Sequence, residues 1–145
     1  MIFHTHTADE TIALGEKIGE LLHPGDVIAM SGTLAAGKTT ITKGIAKALD
    51  IEETITSPTF CLISEYYGKK MPLYHMDVYR LEGEEDFINL GVEDMLYGQG
   101  VCIIEWSEKV KKELPKKTIY LTITPTSETE REIKLENWHN GDIQI

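Results

Sequence analysis

Residues Gly32-Thr33-Leu34-Ala35-Ala36-Gly37-Lys38-Thr39 satisfy G-x-x-x-x-G-K-[ST] at each fixed position. Just upstream, Val27-Ile28-Ala29-Met30-Ser31 is a short apolar run with strand character. Downstream, residues 40–49 carry Ile41, Ile45 and Leu49 at helical spacing. A strand, a glycine-rich loop and a helix in that order form a phosphate-binding unit. Successive main-chain N–H groups converge on one concavity, and the helix N-terminus adds about half a positive charge, so a polyphosphate can replace water there. The lining residues would be the eight of the loop and Thr40. Lys38 would reach the outer phosphates, and Thr39 would offer its hydroxyl to Mg²⁺, a hard cation usually held by few protein ligands plus the phosphates.

This unit predicts an α/β protein of the P-loop NTPase fold: a central, mostly parallel sheet with an added antiparallel hairpin and helices on both faces. With 145 residues and 41% hydrophobic content, residues 1–145 suit a single domain around one core. No apolar run reaches membrane-spanning length, and the N-terminus lacks the basic and apolar regions of a signal peptide, so the expected location is cytoplasmic. The formal net charge of -10 repels nucleic acid, which argues against autonomous DNA or RNA binding and makes proteins the first expected partners. Cys61 and Cys102 lie in separate apolar stretches without a C-x-x-C pair and are expected as buried, reduced thiols.

In chain order, residues 2–6 suggest a short edge strand. Thr7-Ala8-Asp9-Glu10 forms a capping box for a helix with Leu14, Ile18, Leu21 and Leu22 inward, ending at His23-Pro24-Gly25. Beyond the phosphate-loop helix, Ser57-Pro58-Thr59-Phe60 is a predicted loop: either a switch segment presenting Thr59 to a terminal phosphate and metal, or an ordinary turn set by Pro58. Residues 61–66 and 71–77 form a predicted hairpin around Gly68-Lys69-Lys70. Residues 81–97 predict one or two short helices with Phe87, Leu90, Met95 and Leu96 buried.

Val101-Cys102-Ile103-Ile104-Glu105 is the most continuously apolar strand candidate, as expected of a central parallel strand covered on both faces. Ser107 is expected to cap a helix running to Leu114, residues 118–124 and 131–135 to form strands, and residues 125–130 a polar turn. Lys109, Lys111, Lys112, Lys116 and Lys117 form a basic cluster that is either a solvated face or a docking surface for RNA or an acidic partner.

Ligands of open α/β sheets collect beyond the carboxyl ends of the strands, which singles out two carboxylates. Asp77 ends an apolar run in which His75 shares its face, and Glu105 ends the central strand. Either acid could hold Mg²⁺ or orient an attacking water, or be a solvated strand end. Trp106 would either wall the nucleotide site or simply pack, and Arg80 and Arg131, the only two arginines, are candidate phosphate or ribose contacts.

Together, the phosphate loop, Ser57-Pro58-Thr59-Phe60, His75-x-Asp77-x-Tyr79-Arg80-Leu81 and Ile104-Glu105-Trp106 resemble the TsaE (YjeE) family over nearly the whole chain, in the family's order and at similar separations. The resemblance implies a Mg²⁺-dependent ATPase of bacterial tRNA modification. Such a protein acts with TsaD and TsaB proteins to form threonylcarbamoyladenosine beside the anticodon, and meets tRNA through that complex. It further implies Lys38, Asp77 and Glu105 as catalytic residues, Thr39, Asp77 and Glu105 as metal ligands, and Trp106 near the nucleotide. Thr7 and Thr11 become candidate adenine-side contacts, and Arg131 matches the family's late arginine. Ser57, Thr59, His75, Tyr79 and Arg80 form a switch-like group. Thr33 and Ala35 depart from the family's usual Gly-Asp-Leu-Gly-Ala-Gly-Lys-Thr; a left-handed Ala35 would cost about 1–2 kcal/mol.

Three other readings compete with a slow ATPase. A small-molecule or nucleoside kinase would need several basic groups around the transferring phosphoryl, and two arginines argue against it. A GTP switch lacks an Asn-Lys-x-Asp or Thr-Lys-x-Asp guanine-reading motif. A structural partner would need no working Lys38.

Overall fold

The computed structural model describes residues 1–33, 36–56, 63–79, 81, 84–89 and 91–144, with Lys109 described by its backbone alone. In chain order the elements are β1 (Ile2–Thr5), α1 (Ala8–Glu20), β2 (Val27–Ser31), α2 (Lys38–Ala48), β3 (Ile63–Tyr67), β4 (Pro72–Asp77), α3 (Glu84–Asn89), α4 (Glu93–Leu96), β5 (Val101–Glu105), a 3₁₀ segment (Ser107–Glu113), β6 (Ile119–Pro125) and β7 (Arg131–Glu136). The strands form one seven-stranded sheet in the order β1-β7-β6-β2-β5-β4-β3. Its centre, β6-β2-β5-β4, is parallel, and both margins are antiparallel, with β3 on β4 at one side and β7 and β1 beyond β6 at the other.

Period-two alternation divides the central strands between two cores. Ile28, Met30, Ile103 and Leu73 face α1 and α2, whereas Val27, Ala29, Cys102 and Ile104 face Phe87, Leu96 and Val110 on the other side of the sheet. All five residues of β5 are buried, as its unbroken apolar run predicts. On the first face α1 and α2 approach so closely that a Cβ on Gly44 would lie 2.0 Å from the Ile12 carbonyl oxygen. Only glycine permits that contact, and through it α1 braces the helix that carries Lys38.

Several local expectations differ in detail. Thr7 caps α1 by accepting from the Glu10 N–H, but the Glu10 carboxylate reaches back to the His6 N–H, one residue earlier than in a standard capping box. Leu21 is half-buried at the helix end. The 81–97 stretch forms two short helices with Phe87 and Leu96 buried and Met95 half-buried; Leu90 lies outside the described residues. The 3₁₀ segment is broken at Val110, where φ is -128° and ψ is 18°. Trp106, not Ser107, occupies its capping position, without a side-chain cap. Cys102 is buried and free, and Cys61 lies outside the described residues. Among the described residues no helix is long and apolar enough to cross a membrane.

Candidate nucleotide site

Parallel pairing brings the carboxyl ends of β2, β5 and β4 to one edge of the sheet. Glu105 registers against Met30 on one side and Asp77 on the other, so both predicted carboxylates stand beside the exit of β2 into the phosphate loop. There Gly37 adopts φ 110°, a left-handed conformation that glycine takes without steric cost, and α2 begins at the next residue. A Cβ on Gly32 would lie 2.8 Å from the Ile123 carbonyl oxygen, so the loop backbone has no room for a side chain at that point. Leu34 and Ala35 lie outside the described residues.

Lys38 and Glu105 form the centre of the site. The Lys38 ammonium donates to the Gly32 carbonyl at 3.0 Å and stands 3.6 Å from Glu105 Oε1, both side chains being almost fully buried. The other carboxylate oxygen, Oε2, lies 2.5 Å from His75 Nε2. Burial pushes the Glu105 carboxyl up, but the His75 hydrogen bond and the Lys38 ammonium outweigh it and hold the group below its ordinary value. Glu105 is therefore a buried, ionised group hydrogen-bonded to His75 through one oxygen and ion-paired with Lys38 through the other, rather than a solvated strand end.

Trp106 follows Glu105 with φ 62° and ψ 34°. A bulky side chain in that conformation costs about 1–2 kcal/mol. The turn places its indole 4.6 Å from the Lys38 ammonium and 4.8 Å from the Tyr79 ring. Asp77, half-buried at the β4 tip, accepts from the Tyr79 N–H at 2.9 Å. His75 lies within β4 and is fully buried, on a strand rather than a loop.

On the neighbouring side of the loop, a pocket of about 130 Å³ is lined by Ala8, Thr11, Gly37, Thr40, Glu128, Thr129 and Arg131. That is smaller than the roughly 300–1,000 Å³ of a whole ligand site, so it can take only part of a ligand. Arg131 braces the loop: its Nε donates to the Ala36 carbonyl at 2.7 Å, and Nη1 donates to three carbonyls of the β6–β7 turn. Thr11 lines the pocket, with its hydroxyl 2.6 Å from that of Thr5. Thr7 is occupied in capping α1 and is not among the lining residues.

The expected switch residues Ser57, Thr59 and Arg80 lie outside the described residues, and Thr33 is exposed. Thr39 is half-buried in the first turn of α2. Of the lysine cluster, Lys116 and Lys117 are exposed just before β6, at the sheet end opposite the phosphate loop. Three features escape the sequence: the pairing of His75 with Glu105, the pocket walls Glu128 and Thr129, and the acceptance by Glu108 of a hydrogen bond from the Ser31 hydroxyl at 2.8 Å. The last two belong to polar segments without a motif.

Among the described residues no group of three or more His, Cys, Asp or Glu could hold a metal ion by itself. A Mg²⁺ carried in with phosphates needs no such cage. The Thr39 hydroxyl and the Asp77 carboxylate, with Glu105 beside it, are hard oxygen donors of the type that completes its shell.

The profile of the family described as threonylcarbamoyl adenosine biosynthesis protein TsaE matches residues 5–133. The chain belongs to the TsaE family. A TsaE of Treponema pallidum, named tRNA threonylcarbamoyladenosine biosynthesis protein, is 46% identical over 129 residues, covering 89% of this chain and 95% of its own. The Bacillus subtilis protein of the same name is 42% identical over 131 residues, covering 90% and 82%. The crystal structure of Bacillus subtilis YdiB superposes with a TM-score of 0.75 at 39% identity, covering 92% of this chain and 82% of that one. The phosphate loop, the strand-tip acids and Trp106 thus lie within the part of the chain that TsaE proteins share.

Proposed function

We propose that residues 1–145 act as one P-loop ATPase domain in tRNA threonylcarbamoyladenosine biosynthesis. The domain would bind and slowly hydrolyse ATP with Mg²⁺ and work in the cytoplasm with TsaD- and TsaB-like proteins, reaching tRNA through them. The observation that carries this reading is the buried Lys38 ammonium, held at the mouth of the phosphate loop between the Gly32 carbonyl and Glu105. A cation kept out of water on a helix N-terminus awaits a polyanion.

As ATP enters, Lys38 would leave Glu105 for the outer phosphates, and Oε1 would become free to orient a water toward the γ-phosphorus. Attack by that water forms a new P–O bond as the bond to the bridging oxygen breaks, releasing ADP and phosphate. Mg²⁺ would neutralise the charge developing on the phosphate oxygens, held by Thr39 and Asp77. Trp106 roofs Lys38 and would exclude bulk water, while Thr11, Thr40 and Arg131 border the pocket for the nucleoside end.

The test uses a bacterial strain depleted of its own protein and supplied with wild type or Lys38→Ala. Wild type should restore threonylcarbamoyladenosine in digested tRNA, and the variant should not. Equal restoration by both would leave the chain as a scaffold.

A further inference from the structure

We infer that His75 is a positioning residue that fixes the Glu105 carboxylate, so that a single oxygen, Oε1, faces the nucleotide. The inference rests on the ATPase reading above and deepens it.

His75 is completely buried in β4, on the sheet face that also carries Leu73. Its Nε2 lies 2.5 Å from Glu105 Oε2, whereas its Nδ1 is buried with no hydrogen-bond partner among the described residues. That asymmetry fixes the tautomer. A proton on Nδ1 would leave a buried N–H unsatisfied and set the bare Nε2 lone pair against a carboxylate oxygen. A proton on Nε2 donates to Glu105 and leaves only a bare acceptor, the lesser penalty. An Nε2–H facing an ionised carboxylate therefore donates to Oε2 and pins it.

The consequence reaches the phosphate loop in one connected series: His75 Nε2 to Glu105 Oε2, Glu105 Oε1 to Lys38 Nζ, and Lys38 Nζ to the Gly32 carbonyl. When phosphates draw Lys38 away, the carboxylate cannot swing after it, because its second oxygen remains tied to β4. A partner one step behind a working group governs that group's orientation. Packing alone does not account for His75. Leu73 and Met76 fill neighbouring positions of the same strand with apolar side chains, and a half-satisfied imidazole in such a place lowers stability.

The experiment compares ATP turnover by wild type, His75→Leu and His75→Gln, because the glutamine amide can present a donor near the place of Nε2. We expect His75→Leu to lose about 10- to 100-fold in kcat. Its KM and nucleotide affinity should stay within about twofold, the pattern of an interaction used only in the transition state. His75→Gln should recover most of the rate, and the Leu variant should stay folded and still bind nucleotide, so that its lost rate is not lost fold. Retention of kcat by His75→Leu, or a Gln variant as slow as the Leu variant, overturns the inference.

Ring-nitrogen NMR of the nucleotide-free wild type near neutral pH supplies a readout independent of turnover and of variant folding. Nε2 should carry a proton; a bare Nε2 overturns the inference. If wild type turns over ATP no faster than Lys38→Ala, the ATPase reading falls, while the NMR result still decides whether His75 holds Glu105.

Discussion

Replacing Glu105 by Gln removes the negative partner of a buried lysine, and the geometry sets the size of the effect. The side chains of Lys38 and Glu105 are 8% and 4% exposed, with Nζ 3.6 Å from Oε1. At that separation two unit charges attract by about 5 kcal/mol if the effective dielectric is about 20. Desolvation of the two ions offsets most of this, so the intact pair contributes little net stability, yet removing one partner strands the other at a cost of about 3–5 kcal/mol. Because Lys38 keeps its bond to the Gly32 carbonyl, Glu105→Gln should fall at the lower end, about 3 kcal/mol. For a chain of this size that lowers the melting midpoint by about 6–12 °C.

Lys38→Met should cost a similar amount, and the double variant should be less unstable than the sum of the two by about 2 kcal/mol or more. Urea unfolding of the four proteins, with equal slopes required for comparison, measures the cycle. The pH dependence has a definite sign. The Glu105 carboxyl is held below its ordinary 4.5 in the folded state, so its contribution is complete above that pH and is lost as pH falls through the lower folded value. The gap between wild type and Glu105→Gln should therefore be constant near neutrality and close in acid. Additivity of the single variants within about 0.5 kcal/mol would refute the coupling.

Gly44→Ala should destabilise by about 3 kcal/mol, read as a lower melting midpoint, because its Cβ would meet the Ile12 carbonyl oxygen at 2.0 Å. Nucleotide addition should change tryptophan fluorescence in wild type but not in Trp106→Phe, since Trp106 lies 4.6 Å from the Lys38 ammonium, whereas Trp138 follows Asn137, which donates to the Lys116 and Thr118 carbonyls at the sheet end opposite the loop. Burial pushes the Cys102 thiol up to about 12, so mass-mapped alkylation of its peptide in mildly alkaline solution should be absent until the protein unfolds.

What the sequence reveals about this molecule follows the range of its signals. The phosphate loop, β2 and β5 are local: a motif, an apolar run and a helical spacing lie within a few residues of one another, and the strands occupy the expected segments. Asp77 and Glu105 are legible as strand tips because parallel strands end on the side where the loop begins. The partnership of His75 with Glu105 is not, since the two are 30 positions apart and meet only through the β4–β5 register.

Trp106 misleads for another reason. Bulky residues avoid left-handed backbone, so Ser107 is the natural choice of cap; in the fold, the place of the indole over Lys38 accompanies the local strain. The pocket beside Thr11 and Thr40 depends on the β6–β7 turn folding back over the loop, which residues 125–130 signal only as polar.

Calorimetric titration of wild type and Lys38→Ala with a slowly hydrolysed ATP analogue and Mg²⁺ asks most directly whether a triphosphate occupies the amide cradle at the start of α2. Wild type should release heat with one nucleotide per chain, and Lys38→Ala should show little or none. No heat from folded wild type, or an unchanged isotherm in the variant, would contradict the assignment of this site to nucleotide.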